Sequence, residues 1–171
     1  TRLVGGLATT WAASARLKLS LGMEAIQDDS NIFWSRLGQR EHYVYEHRAG
    51  TAQVLWTSDF GNLDLGVRYD HNSEYGAATS PRLAFTRATE EGHLKLLVAG
   101  AFRAPSIENL FVNPLLKPER TQTFEAEVGR ALSPSIYASV NAFVLRIHDP
   151  ISYANPAPGV NTYLNFEYTG A

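Results

Sequence analysis

Apolar and polar residues alternate with a period of two through most of this chain, the pattern of strands with one apolar and one polar face. Leu17, Leu19, Leu21, Met23 and Ala25 share one face, and Lys18, Ser20, Gly22 and Glu24 the other. Leu63, Leu65, Val67 and Tyr69 alternate in the same way with Asp64, Gly66, Arg68 and Asp70. Leu94, Leu96, Val98, Gly100 and Phe102 oppose His93, Lys95, Leu97, Ala99, Ala101 and Arg103. Phe124, Ala126 and Val128 oppose Glu125 and Glu127; Val140, Ala142 and Val144 oppose Asn141 and Phe143. The pattern predicts about eight strands, near 14–26, 45–59, 62–73, 80–89, 93–104, 121–131, 135–149 and 161–169, with residues 1–13 a loop or strand end. Helical periodicity is weak, apart from a short turn at 105–112, where Pro105 suits a first helical position.

The connections sharpen the reading. Those near 59–62, 89–92 and 132–135 are tight, while 27–44, 74–79, 105–120 and 150–160 are longer. Long and short links alternate along the chain, as in an up-and-down antiparallel membrane barrel with short turns at one end and loops at the other. Most strands run to 9 residues or more, against the 9–11 or so that a tilted membrane strand needs and the five or six usual in globular proteins. Aromatic residues fall near the strand ends (Tyr45, Phe60, Tyr69, Phe102, Tyr153, Tyr163, Phe166 and Tyr168), where rings at headgroup level would sit. The apolar faces carry no charge at mid-strand, whereas the opposite faces carry Lys18, Glu24, Asp64, Arg68, Asp70, Arg82, Lys95, Arg103, Glu125 and Glu127. Apolar faces turned to lipid around a wet interior fit this, and so does a soluble β-barrel or sandwich with the apolar faces inward. Strand length and the alternating links favour the membrane.

Composition removes several classes. The 171 residues include no cysteine, which excludes disulfide frameworks and thiol chemistry. The net charge of −2 argues against a nucleic-acid partner. The mean hydropathy of −0.19 is what alternating strands average to, and the longest apolar run, Leu96 to Phe102, is far short of a membrane helix. No secretory signal is read at the N-terminus. His42, His47, His71, His93 and His148 lack the spacing of a zinc site, so no metal site is expected. Glu125 and Glu127 share a face, but a nucleophile–base set is missing, and no enzyme activity and no cofactor are expected.

Several motifs in one order resemble the barrel of TonB-dependent outer-membrane receptors. They are Gly66-Val67-Arg68-Tyr69-Asp70, Ser80-Pro81-Arg82-Leu83-Ala84, and Phe102-Arg103-Ala104-Pro105-Ser106. Asn113-Pro114-Leu115-Leu116-Lys117-Pro118-Glu119 follows, with a spaced Glu125, and then Ala142-Phe143 through Ile147-His148-Asp149-Pro150-Ile151. The resemblance implies an all-β architecture in which residues 1–171 form part of a larger, plugged barrel of the 22-stranded kind. Neither a plug nor a TonB box is recognised, so a portion of such a barrel is expected. It also implies uptake of a metal chelate such as a ferric siderophore, or of cobalamin or haem, across the outer membrane of a Gram-negative bacterium. Outer-membrane lipid and, through a region N-terminal to this one, the TonB complex would be partners. Phe102, Arg103, Ala104, Pro105, Ser106, Asn113, Pro114, Lys117, Pro118, Glu119 and Glu125 read as structural, since the prolines end strand pairing and Arg103, Lys117, Glu119 and Glu125 can form ion pairs at the rim. Phe33, Trp34, Arg36, Arg40 and Tyr43 are ligand candidates, because rings and arginines suit an anionic aromatic chelate. Tyr75, Tyr153 and Asn155 join them from other long links. A passive pore and an enzyme built on a barrel remain as alternatives.

Overall fold

The computed structural model describes residues 1–34, 39–157 and 160–166. Eight strands form one antiparallel sheet in strict sequence order: β1 (Arg2–Ala12), β2 (Leu17–Trp34), β3 (Gln39–Ser58), β4 (Gly61–Asn72), β5 (Gly76–Ala88), β6 (Gly92–Arg103), β7 (Glu119–Ser133) and β8 (Ile136–His148). A short helix, α1 (Ile107–Val112), lies between β6 and β7. A separate hairpin, β9 (Ile151–Ala157) with β10 (Val160–Asn165), follows β8.

The register turns the period-two pattern into continuous faces. Trp11, Leu19, Val54, Leu65, Leu83, Val98, Phe124 and Val144 stand opposite one another in a row across all eight strands. The next residue of each strand points the other way, and Lys18, Asp64, Glu125 and their neighbours make up a polar face. No described residue covers the apolar row: Trp11 is 64% exposed, Leu65 43% and Val144 53%. The chain exposes 12202 Å², whereas a compact globule of its mass would expose about 8,300 Å². A sheet with its apolar side bare and its polar side partly covered is the wall of a membrane barrel turned outside in relative to a soluble core.

Five elements depart from the sequence expectations. Residues 2–12 are a full edge strand and supply the eighth member of the sheet, while the described part of the strand expected at 161–169 pairs with β9 instead. The long link at 27–44 is largely strand: β2 and β3 continue as a two-stranded arm past the ends of β1 and β4, with Ser30 opposite Tyr43 and Phe33 opposite Arg40. The 74–79 link shrinks to residues 73–75, because Asn72 Oδ1 accepts the Glu74 N–H at 2.9 Å and Gly76 takes φ +79 to re-enter the sheet. Pro105 is not the first helical residue. Ser106 is the N-cap: its Oγ accepts the Asn109 N–H at 3.1 Å, and Asn109 Oδ1 accepts the Ser106 N–H at 3.0 Å.

The turns of 13–16, 59–60, 89–91 and 134–135 all lie at one end of the sheet, and the arm, α1 and the β9–β10 hairpin at the other. Gly61 closes one tight turn at φ +146, where an added Cβ would stand 2.6 Å from the Thr86 carbonyl oxygen. Gly61→Ala is therefore expected to cost about 1–3 kcal/mol, read as a lower urea midpoint of the detergent-folded chain; an unchanged midpoint would show that this turn carries no conformational constraint.

Candidate functional site

The small buried core sits on the polar face, at the end with the long connections. Tyr45, Leu110 and Leu116 form it, with Tyr75, Ile107, Ile151 and Tyr163 packed around them. The segment between β6 and β7 therefore folds back over the polar side. Tyr45, expected at headgroup level, points to this face and is buried beneath that segment. Tyr163 likewise turns inward and meets Tyr153 edge-to-face at 5.4 Å.

Prolines and polar side chains fix this fold-back. β6 ends at Arg103 and β7 begins at Glu119, with Pro105, Pro114 and Pro118 between them. Arg103 pairs with Glu119 at 2.8 Å, and Glu119 also accepts the Ile151 N–H at 3.2 Å. Asn113 Nδ2 donates to the Tyr163 carbonyl at 2.9 Å. The Lys117 N–H donates to Asn165 Oδ1 at 2.8 Å, and Asn165 Nδ2 donates back to the Lys117 carbonyl at 3.0 Å. These bonds tie α1 and its flanks to the hairpin. Glu125 lies apart, deeper on the polar face, where it accepts from Asn141 Nδ2 at 2.6 Å. Its neighbour Glu127 takes Lys95 at 3.0 Å and also His93.

Below the fold-back lies a cavity of about 330 Å³ lined by Arg2, Ile26, Asp28, Tyr45, His47, Asn72, Tyr75, Pro105, Ser106 and Ile107. Its floor rests on a charged network. Arg68 Nε donates to both oxygens of Asp70 at 2.9 and 3.0 Å, and its Nη2 donates to Glu24 at 3.2 Å. His47 Nε2 lies 3.1 Å from Asp70, which is only 1% exposed. Alanines flank the carboxylate on both sides, with Ala49 and Ala78 in register with Asp70, so the long side chains of Arg68 and His47 can reach it. Arg2 pairs with Asp28 at 3.4 Å at the cavity edge. Asn72 is 6% exposed; its carbonyl is used by Glu74, and its amide N–H groups have no partner among the described residues. Burial, and secondarily the charge of Asp70, pushes the Tyr75 phenol upward, so it stays a hydrogen-bond donor. The cavity thus offers donors and aromatic rings: it suits a ligand rich in oxygen acceptors.

Of the ligand candidates read from sequence, Tyr75 lines this cavity, with its ring 6.4 Å from that of Phe102. Tyr153 is 54% exposed on β9, and Asn155 is exposed on the same strand. Phe33, Trp34, Arg40 and Tyr43 belong by backbone to the projecting arm, and Arg36 lies outside the described residues. The sequence reading missed Arg2, Asp28, His47 and Asn72 as a set. They come from four strands and meet only through register; the available signal was their common position near the long-connection end of each strand.

Comparison with known proteins gives one consistent result. Residues 6–170 match the family model described as TonB dependent receptor-like, beta-barrel. Among solved structures, the siderophore receptor PirA from Pseudomonas aeruginosa aligns with TM-score 0.78 and 22% identity, over 97% of this chain and 34% of that one. The ferric enterobactin receptor PfeA from the same organism, in a mutant complex with enterobactin, aligns with TM-score 0.76 and 18% identity, over 90% of this chain and 27% of that one. The copper transporter OprC aligns with TM-score 0.71 and 17% identity, over 96% and 32%. The chain thus spans about a third or less of the length of these structures. A search of curated proteins returned no match. With the motifs, the bare apolar face and the uninterrupted strand order all in agreement with a match over nearly its whole length, the chain belongs to the TonB-dependent receptor β-barrel family.

Proposed function

We propose that this chain forms a sector of an outer-membrane receptor wall that takes up a metal chelate with TonB-derived energy. The observation that carries the reading is the polar-face cavity at the long-connection end, where donors from Arg2, Asn72 and Tyr75 converge beside the rings of Tyr45 and Tyr75. A ferric siderophore presents anionic oxygens and, in the catecholate class, aromatic rings, so it meets both features. PfeA is described in complex with enterobactin and PirA as a siderophore receptor, which supports the chelate class. OprC is described as a copper transporter, so cobalamin, haem and other metal cargoes remain alternatives within one class. The projecting arm, whose backbone carries Phe33, Trp34, Arg40 and Tyr43, is the proposed first contact, with Arg36 added as a candidate from sequence alone. No catalytic step is assigned, because uptake makes and breaks no bond.

The test is saturable quenching of tryptophan fluorescence by a ferric tris-catecholate, using the full chain folded in detergent. Tyr75→Ala is expected to weaken binding about tenfold, the equivalent of about 1.4 kcal/mol. A folded chain that shows no saturable quenching overturns the chelate reading, and a Tyr75→Ala variant that binds like the wild type removes the cavity from it.

A further inference from the structure

The apolar face does not end in neutral residues at the long-connection end of β7 and β8. Continuing outward from Phe124 and Val144, the same face carries Gln122 and Arg120 on β7, and Arg146 and His148 on β8. Gln122 stands opposite Arg146 and Arg120 opposite His148, so the two arginines are diagonal neighbours, about 7–8 Å apart at the backbone. All three basic side chains are exposed. The Arg146 guanidinium lies 5.9 Å from the centroid of the Phe124 ring, which holds it against the edge of the apolar band. Arg120 has no charged or hydrogen-bonded partner among the described residues.

No carboxylate shares this face on β6, β7 or β8. Glu119, Glu125 and Glu127 all point to the polar side, where Arg103, Asn141 and Lys95 occupy them. Asp149 follows His148 directly, in the turn beyond β8. The opposite end of the same face differs: Arg130 is paired with Glu91 at 3.5 Å, and Arg87 sits over Phe60 beside the Glu90–Glu91 turn. Among the described residues of β6, β7 and β8, the apolar-face cations without a carboxylate partner thus lie at the long-connection end.

We propose that Arg120, Arg146 and His148 form a site for the phosphate of a membrane-lipid headgroup in the leaflet facing the long connections. The inference rests on the reading that the apolar face lies in the bilayer. The acyl chains would lie along Val98, Phe124 and Val144, which puts a headgroup phosphate level with the two arginines. A guanidinium matches phosphate oxygens with paired N–H donors, and two of them on adjacent strands can clamp one headgroup. Each such side chain near an anionic surface strengthens binding about fivefold.

The experiment is native mass spectrometry of the full chain in non-ionic detergent, with phosphatidic acid and with diacylglycerol of the same acyl chains. Phosphatidic acid is expected to be retained well above diacylglycerol. R120Q/R146Q should lower its retention about 25-fold while leaving diacylglycerol retention and β-content unchanged. R87Q/R130Q, at the other end, should leave both lipids as in the wild type. Equal retention of the two lipids by the wild-type chain overturns the phosphate site but leaves the membrane-facing reading intact. A folded chain that takes up neither lipid and no detergent overturns that underlying reading. Loss of phosphatidic acid on addition of inorganic phosphate would identify a free-anion site and overturn the lipid assignment.

Discussion

Arg68→Met is expected to destabilise the folded chain by about 3 kcal/mol, the largest loss from any single side chain on the polar face. The reason lies in Asp70, a carboxylate with 1% exposure that depends on Arg68 for three short N–H···O contacts and on His47 for one. Removing a charged partner from a buried ion leaves that ion desolvated and underpaired, which costs about 3–5 kcal/mol in proteins. The lower value applies because His47 stays within 3.1 Å and the Arg68 end is partly exposed. The companion variant Asp70→Leu removes the demanding group itself. Together, Arg68→Met/Asp70→Leu should be markedly more stable than Arg68→Met alone, since the buried charge between Ala49 and Ala78 is gone and only the partly exposed Glu24 loses its partner. Urea titration of the four chains in detergent gives the cycle directly. Additive losses would mean that Arg68 and Asp70 do not act as a pair and that the burial of Asp70 is compensated elsewhere.

What the sequence disclosed, and what it hid, follows from how strongly the two faces differ. β2, β4 and β7 were legible because an apolar side chain and a polar or small one alternate without interruption from Leu17 to Ala25, from Leu63 to Tyr69 and from Phe124 to Val128, and β6 because His93, Lys95 and Arg103 mark its polar side despite Leu97, Ala99 and Ala101. β1 was hidden because Val4, Gly6 and Ala8 on its polar side are as small or apolar as Gly5, Leu7 and Thr9 on the other. The arm was hidden for another reason. Beyond the ends of β1 and β4, polar and apolar residues mix on both sides of the arm without a period of two, so its sequence reads as a loop although its backbone stays paired. The β9–β10 hairpin misled because alternation at 160–165 marks a strand without saying which sheet receives it. The cavity was the least legible feature. Asp28, Tyr45 and Asn72 become neighbours only once Asp28 is set opposite Tyr45 and His47 opposite Asn72, and register is not written in any one segment.

Leu65→Arg is expected to cost about 2–4 kcal/mol of folding stability in lipid vesicles. Leu65 stands in the apolar row that crosses all eight strands, about midway between the tight turn at 59–60 and the turn at 73–75. If that row faces the bilayer centre, a guanidinium there must either shed its water or pull water and headgroups inward. Ala77→Arg, on the same face but close to the long-connection end, should cost only about 0–1 kcal/mol, because the penalty decays towards the interface. Gln53→Arg, on the opposite face beside Asp64, should be nearly neutral, since its present amide already donates to that carboxylate at 2.8 Å and a cation would do the same. Reversible urea unfolding from vesicles ranks the three. The order Leu65, then Ala77, then Gln53 requires both a buried apolar face and a depth gradient along it. A soluble sandwich with its apolar face inward would also penalise Leu65→Arg, but it would penalise Ala77→Arg according to local packing and would keep its stability without detergent or lipid. A chain that stays folded and monomeric in plain buffer, with no depth gradient, would therefore reverse the assignment of the faces and remove the basis for both the receptor wall and the lipid site.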